Sequence, residues 1–126
     1  MGDVTIKRVY EPAEAGDGIR VLVDRLWPRG MTRERAALEC WLKDVAPSQE
    51  LRKWWGHDPA RFADFANRYR CELEENPAVD DLLAIVREHD LTTLVYAARD
   101  RTINHAAVLR EYLVQALADQ AQTPAA

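Results

Sequence analysis

The distribution of apolar and polar residues along the chain predicts strands separated by helices. Residues 4–10 alternate β-branched and charged side chains, as a half-buried strand does. An apolar run at residues 21–23, inside the segment 20–27, is typical of an inner strand that is buried on both faces. Residues 91–97 form the clearest of the later strands. These three segments therefore predict a sheet.

Helix signals fill the stretches between these strands. Capping side chains precede several of them, and apolar residues then recur at helical spacing. Residues 40–45 fit either a continuation of the first helix or a third short strand, and we favour the strand. Five helices are predicted, which cover residues 33–39, 48–55, 58–73, 76–89 and a long last stretch that follows the loop 98–101.

Alternation of strands and helices favours parallel pairing, because each crossover places a helix on a face of the sheet. The expected fold is α/β, a small, mostly parallel sheet of three to four strands covered by helices on both faces. A chain of 126 residues fits one domain. We expect that domain to span residues 1–120 and the residues 121–126 to form a flexible C-terminal tail.

Charge and composition narrow the classes of partner. The net charge of -4 argues against a dedicated nucleic-acid binder, which carries a basic face. Most of the 17 basic residues are arginines, which suits planar recognition of carboxylate or phosphate, although a codon bias explains this equally well. The amino-terminal residues lack a signal-peptide core, and no apolar run is long enough to cross a bilayer. The expected location is the cytoplasm, without membrane contact.

Signatures of metal and cofactor sites are missing from the sequence. Cys40 and Cys71 read as separate buried thiols, although spacing alone leaves a disulfide open. His57, His89 and His105 are scattered, without the spacing of metal ligands, and a metal site formed in space by Asp24, His57 and His105 is the weaker alternative. The glycine-rich motifs of nucleotide-binding folds do not occur either. We therefore predict no metal site and no cofactor.

The segment after the second strand is the first candidate for chemistry. Asp24, Arg25, Trp27, Arg29 and Gly30 crowd into one strand end and its turn. Ligands of open α/β sheets bind beyond the carboxyl ends of the strands. The alternative is that Asp24 and an arginine only neutralise each other.

The segment after the last strand is the second candidate. Arg99, Asn104 and His105 lie where that strand leads into the last helix. Helix amino termini favour anions, and a histidine there suits acid–base work. The alternative is that this segment only caps the helix and that His105 is a surface residue.

A third cluster, at residues 52–59, interleaves basic and aromatic side chains. Such a pattern suits the stacking of bases and the neutralisation of phosphates. It suits equally well a pair of tryptophans, Trp54 and Trp55, that pack into a core beneath a polar turn.

The sequence resembles the YeaO-like branch of the bacterial domain-of-unknown-function family numbered 488. The most specific match is the run Asp-Arg-Leu-Trp-Pro-Arg-Gly at residues 24–30, and the resemblance extends over about residues 4–114. It implies a compact α/β fold and no established activity. Further matching segments are residues 7–10, 41–43, 46–48, 51–54, 57–59, 69–73, 93–98 and 104–106.

Relatives in the wider family resemble one another in a Cys-His-Arg segment after the last strand. This chain has Asn104, His105 and Ala106 at the matching positions, so the cysteine and the arginine are absent. The resemblance therefore transfers no thiol or metal chemistry, and only His105 matches.

The leading hypothesis is a pocket for a small anionic molecule between the two strand ends. Arg25, Arg29 and Arg99 hold the anion in this hypothesis, Trp27 forms a wall, and Gly30 and Asn104 contribute to binding. Asp24 and His105 are the candidate catalytic groups, and hydrolysis or group transfer is the reaction that they would assist. The alternatives are a nucleic-acid- or protein-interaction module on Trp54, Trp55, Arg52, Arg61 and Arg68, and a structural or homo-oligomeric protein.

Overall fold

A computed structural model describes residues 2–122 and shows a four-stranded parallel sheet. The strand order is β1-β4-β2-β3, so β4 lies between the other two long strands. The predicted α/β class, with a small parallel sheet and helices on both faces, is confirmed. The strands are β1 (Asp3–Arg8), β2 (Ile19–Leu22), β3 (Cys40–Trp41) and β4 (Leu91–Tyr96).

Five α-helices surround this sheet. Residues 123–126 of the predicted tail lie outside the described residues, and the last helix extends through residue 122, beyond the expected domain end at 120. Among the described residues, no helix is long and apolar enough to cross a membrane. The helices are α1 (Arg33–Ala36), α2 (Gln49–Trp55), α3 (Phe62–Glu74), α4 (Ala78–Glu88) and α5 (His105–Gln122).

Several predicted boundaries were wrong. Strand β2 ends at Leu22, although the Val23 amide still donates to Val95 O at 3.1 Å. Helix α1 ends at Ala36, because Ala37 takes a left-handed conformation with φ 48°. The ambiguous residues 40–45 divide into the two-residue strand β3 and a 3-10 turn, Lys43–Val45.

The main core lies on one face of the sheet. Successive side chains of a strand point to opposite faces, so Val21, Leu94 and Tyr96 face helices α2 to α5. Phe65 and Tyr69 of α3 are fully buried against this face. Burial of large aromatic side chains dominates the stability of such a core.

The opposite face has a smaller apolar cluster and a buried ionic group. Leu22 and Val95 pack there against Ala36 of α1. Beside them the Asp17 carboxylate accepts hydrogen bonds from Lys7 Nζ at 3.0 Å and from Arg20 Nη1 at 2.7 Å. Helix α1 alone is too short to cover this face, and the ionic group fills the rest.

Candidate functional site

A pocket of about 270 Å³ opens at the carboxyl edge of the sheet, where the ligand site was predicted. Three chain segments meet there, because the carboxyl ends of parallel strands share one edge. Its lining residues are Asp24, Arg25 and Leu26 after β2; Ala46, Pro47, Arg52, Trp55 and His57 after β3; and Ala97, Ala98 and His105 after β4.

Asp24 and His105 form a contact pair at the pocket wall. His105 Nε2 lies 3.1 Å from Val23 O and 3.2 Å from Asp24 Oδ1. A carbonyl oxygen can only accept, so a hydrogen bond between Nε2 and Val23 O requires Nε2 to be the donor, and Asp24 Oδ1 has no hydrogen-bond partner. The other carboxylate oxygen, Oδ2, accepts from the Ala97 amide at 3.0 Å. This arrangement fixes the imidazole ring and places a compensating charge beside it when the ring is protonated.

Arg25 lies along the loop 44–48. Its Nη2 donates to Ala46 O at 3.3 Å and Pro47 O at 3.5 Å, both at the long end of the hydrogen-bond range. Its Nε is buried without a hydrogen-bond partner. The half-buried guanidinium thus makes only long hydrogen bonds through Nη2 and none through Nε, and it lines the pocket.

Two side chains of helix α3 and a third that follows its end hold this loop. Tyr69 Oη donates to Val45 O, and Asn76 Nδ2 donates to Asp44 O. Glu72 accepts from both the amide and the hydroxyl of Ser48. Burial raises the pKa of Tyr69 well above its ordinary value, so its hydroxyl remains a donor. The loop is therefore rigidly placed beneath Arg25.

An aromatic chain forms the floor of the pocket. His57 packs on Trp55 with a centroid distance of 4.7 Å, and Trp55 stacks on Phe65 at 4.0 Å. Phe65 contacts Tyr69, whose ring meets His105 edge-on at 6.3 Å. The two histidines of the pocket are thus joined by one continuous chain of aromatic contacts.

His57 has an unusual backbone conformation at the pocket rim. Its φ of 57° lies in the left-handed region, which L-residues rarely adopt. Such strain persists where the surrounding structure imposes it, and it clusters at functional sites.

Arg52 lies on the same side of the pocket and is half-buried. Among the described residues, no carboxylate pairs with Arg52 or with Arg25. A half-buried charge without a partner is costly unless a ligand or ordered solvent meets it. Within the described part of the chain, no group of three or more His, Cys, Asp or Glu residues is placed to hold a metal ion.

Comparison with known proteins matches residues 3–126 to a family model described as "Inactive DUF488-N3 subclade". The chain belongs to this family. The chain is 44% identical to an uncharacterised protein of Mycobacterium tuberculosis over 110 residues, which are 87% of this chain and 92% of that protein. It is 42% identical to the uncharacterised protein YeaO of Escherichia coli, over 88% of this chain and 96% of YeaO. No solved structure matches the chain.

The family's segment after the last strand has a structural role here. Asn104 is fully buried, its Nδ2 donates to Asp100 O, and its Oδ1 accepts from the Ala107 amide at 2.8 Å. It therefore caps α5, which opens with His105. Hydrogen bonds from the Ile103 and Thr102 amides lower the pKa of Asp100, so this loop is braced internally.

Other residues predicted for the pocket lie elsewhere in this DUF488 chain. Trp27 donates its indole N–H to Met31 O at 2.8 Å and packs edge-on against Trp41. Gly30 has φ 75° and forms a turn. Arg29 and Arg99 are exposed and outside the pocket lining. The structure thus brings Asp24, Arg25 and His105 together in the pocket lining, and leaves the remaining predicted residues outside that lining.

Arg52 and His57 reach the pocket from the third sequence cluster, for which the sequence left an interaction surface and a core segment as alternatives. Trp55 is only 3% exposed and belongs to the core, so it is not part of an interaction surface. Arg61 and Arg68 contact the ring of Trp54 instead. The cap-and-glycine pattern of α2 predicts its ends, but only the packing of α2 against α3 shows where Arg52 lies.

Proposed function

We propose that this protein binds a small anionic molecule in the pocket at the carboxyl edge of the sheet and does not convert it. The supporting observation is that Arg25 and Arg52 both line the pocket without a carboxylate partner among the described residues. The planar guanidinium of arginine can donate two parallel hydrogen bonds to a carboxylate or a phosphate. The volume of the pocket limits the ligand to a small molecule. His57 and His105 line the same pocket.

The chemistry of the lining favours binding over turnover. The lining residues include no serine, threonine, cysteine, lysine or tyrosine, so a nucleophile or base at this site has to be Asp24, His57 or His105. Residue 104 matches the position at which relatives in the wider family resemble one another in having a cysteine. In this chain it is an asparagine that caps α5. The family description "inactive" agrees with this proposal.

Arg25→Gln and Arg52→Gln should each weaken binding of methyl phosphate by about 10- to 100-fold, since each removes charge-assisted hydrogen bonds. Isothermal titration calorimetry measures the change. Arg87→Gln, on the remote helix α4, is the matched control and should bind as the wild type does. Wild-type affinity in both pocket variants, or no binding of methyl phosphate and acetate by the wild type, overturns the proposal.

Hydrolysis with His105 as a base is the second candidate function, and the Asp24–His105 contact favours it. The same titrations decide between the two, because hydrolysis releases inorganic phosphate from methyl phosphate. Hydrolysis is supported if the wild type releases inorganic phosphate and the folded variants His105→Asn and Asp24→Asn do not. Bound ligand that stays intact supports binding alone.

His57→Gly should separate binding from stability. Glycine relieves the left-handed backbone but removes the stacking on Trp55, so the free energy of unfolding should change by less than about 1 kcal/mol. Methyl phosphate should bind about 3- to 10-fold more weakly, since one donor is lost. Urea unfolding and calorimetry give the two values.

Ala37→Gly is the control for this variant, because Ala37 also has a positive φ and lies outside the pocket lining. It should raise stability by about 0.5–1 kcal/mol and leave binding unchanged. A loss of more than about 2 kcal/mol in His57→Gly would show that His57 is a structural anchor.

A further inference from the structure

Several arginines lie around the carboxyl end of β1, next to the end of β4 that lines the pocket. Arg29 and Arg99 are exposed, and within residues 2–122 neither has an ion-pair partner. Arg101 contacts only Glu11, at 3.6 Å, and both groups remain accessible to solvent. We call Arg8, Tyr10, Arg29, Arg99 and Arg101 the arginine edge.

A chain of contacts joins this edge to the pocket. Arg8 Nε donates to the carbonyl of Ala98, a pocket residue, at 2.8 Å. The Arg8 guanidinium lies 5.3 Å from the centre of the Tyr10 ring, and Tyr10 Oη donates to Arg29 O at 2.7 Å. Arg99 directly follows Ala98. The arginine edge is therefore continuous with the pocket wall.

The local charge is opposite to that of the whole chain. The net charge is -4, yet Arg29 and Arg99 stand unpaired at one edge of the sheet. Like charges held together without partners repel each other, so a bound polyanion relieves this repulsion. Such an edge attracts polyanions although the whole chain is acidic.

We propose that the occupant of the pocket is the terminal phosphate of a short single-stranded nucleic acid, whose following phosphates contact Arg99 and Arg29. This inference rests on the proposed function. Tyr10 is 37% exposed between the arginines, where an unstacked base can lie on its ring. This aromatic residue favours a nucleic acid over an acidic peptide, and base stacking requires a single strand.

Fluorescence anisotropy with labelled oligothymidylates of about six nucleotides tests the inference. Oligomers with a 5′- or a 3′-terminal phosphate are compared with the unphosphorylated oligomer, and methyl phosphate is titrated in parallel. One phosphorylated oligomer should bind about tenfold more tightly than methyl phosphate and than the unphosphorylated oligomer, because it uses both the pocket and the edge.

Arg29→Gln and Arg99→Gln should each reduce the affinity for this oligomer by about 3- to 10-fold and lower the slope of log affinity against log salt by about 0.7. Their affinity for methyl phosphate should equal that of the wild type, because neither residue lines the pocket. Arg87→Gln should leave both affinities and the salt slope unchanged. Thermal unfolding of each variant shows that its fold is intact.

The outcomes separate the inference from the proposed function. If methyl phosphate binds and no oligomer binds more tightly than methyl phosphate, the inference is wrong and the proposed function of the pocket still holds. If oligoglutamate binds as tightly as the phosphorylated oligomer, and Arg29→Gln weakens both to the same extent, the inference is also wrong. The ligand is then an acidic peptide. If neither methyl phosphate nor any oligomer binds, both proposals fail.

Discussion

Replacing Asp17 by asparagine should lower the free energy of unfolding by about 3–5 kcal/mol, the range for removal of one partner from a buried ion pair. The Asp17 carboxylate is buried between Lys7 and Arg20, and it also accepts from the Glu14 amide at 3.0 Å. Asparagine keeps the shape but removes the charge. The Arg20 guanidinium, 4% exposed and with Nη2 already lacking a partner, would then be a buried cation without a counterion.

The double variant Asp17→Asn with Arg20→Met is the control for this prediction. Removing both charges should restore part of the lost stability, so the two substitutions should not be additive. Urea unfolding of the wild type, both single variants and the double variant gives the four free energies of a double-mutant cycle. Additive losses would show that Asp17 and Arg20 act independently.

The same carboxylate predicts the acid limb of the stability curve. Burial alone raises the pKa of Asp17, but hydrogen bonds from Glu14, Lys7 and Arg20 outweigh it and lower the pKa below its ordinary value. A group with a lowered pKa contributes stability above its unfolded pKa, about 3.9, and loses it as the pH falls through the folded value. The wild type should therefore lose stability below about pH 4 more steeply than Asp17→Asn does.

How far the sequence predicts this protein is clearest at the carboxyl edge of the sheet. Asp24, Arg25 and His105 were predicted to meet because two strand ends of a parallel sheet must share an edge, and they do line one pocket. Arg52 was not placed with them, and His57 was placed there only in the weaker metal-site alternative. Their position depends on how α2 packs on α3, a contact between helices that no local pattern encodes.

The misplaced residues show a second limit. Asn104 precedes a helix, and a polar residue there fits a cap and a ligand contact equally well until the hydrogen bond to Ala107 is seen. Trp27 was expected to form a pocket wall, yet its indole N–H bonds to Met31 O in the cluster on the opposite face. Residue type and strand-end position alone could not determine which side of the edge each side chain takes.

Gly18→Ala should destabilise the protein by at least about 3 kcal/mol, because two separate costs combine at this residue. Gly18 joins a 3-10 turn to β2 with φ 65° and ψ -137°, a conformation close to the region that only glycine adopts readily. A Cβ atom would also lie 2.3 Å from Leu91 O at the start of the central strand β4. That oxygen belongs to the backbone, so it cannot move aside without disturbing the sheet.

Two further glycines separate these costs. Gly30 has φ 75° but nothing within 4 Å of an added Cβ, so Gly30→Ala should cost only about 1–2 kcal/mol of backbone strain. Gly16 has neither a positive φ nor a neighbour within 4 Å, so Gly16→Ala should be neutral or stabilising by up to about 1 kcal/mol. Urea unfolding of the three variants should give the order Gly18, Gly30, Gly16 in falling cost. Equal losses at Gly18 and Gly30 would mean that the contact with Leu91 relaxes freely, and that β2 is not held against β4 as tightly as the structure requires for the position of Asp24 and Arg25.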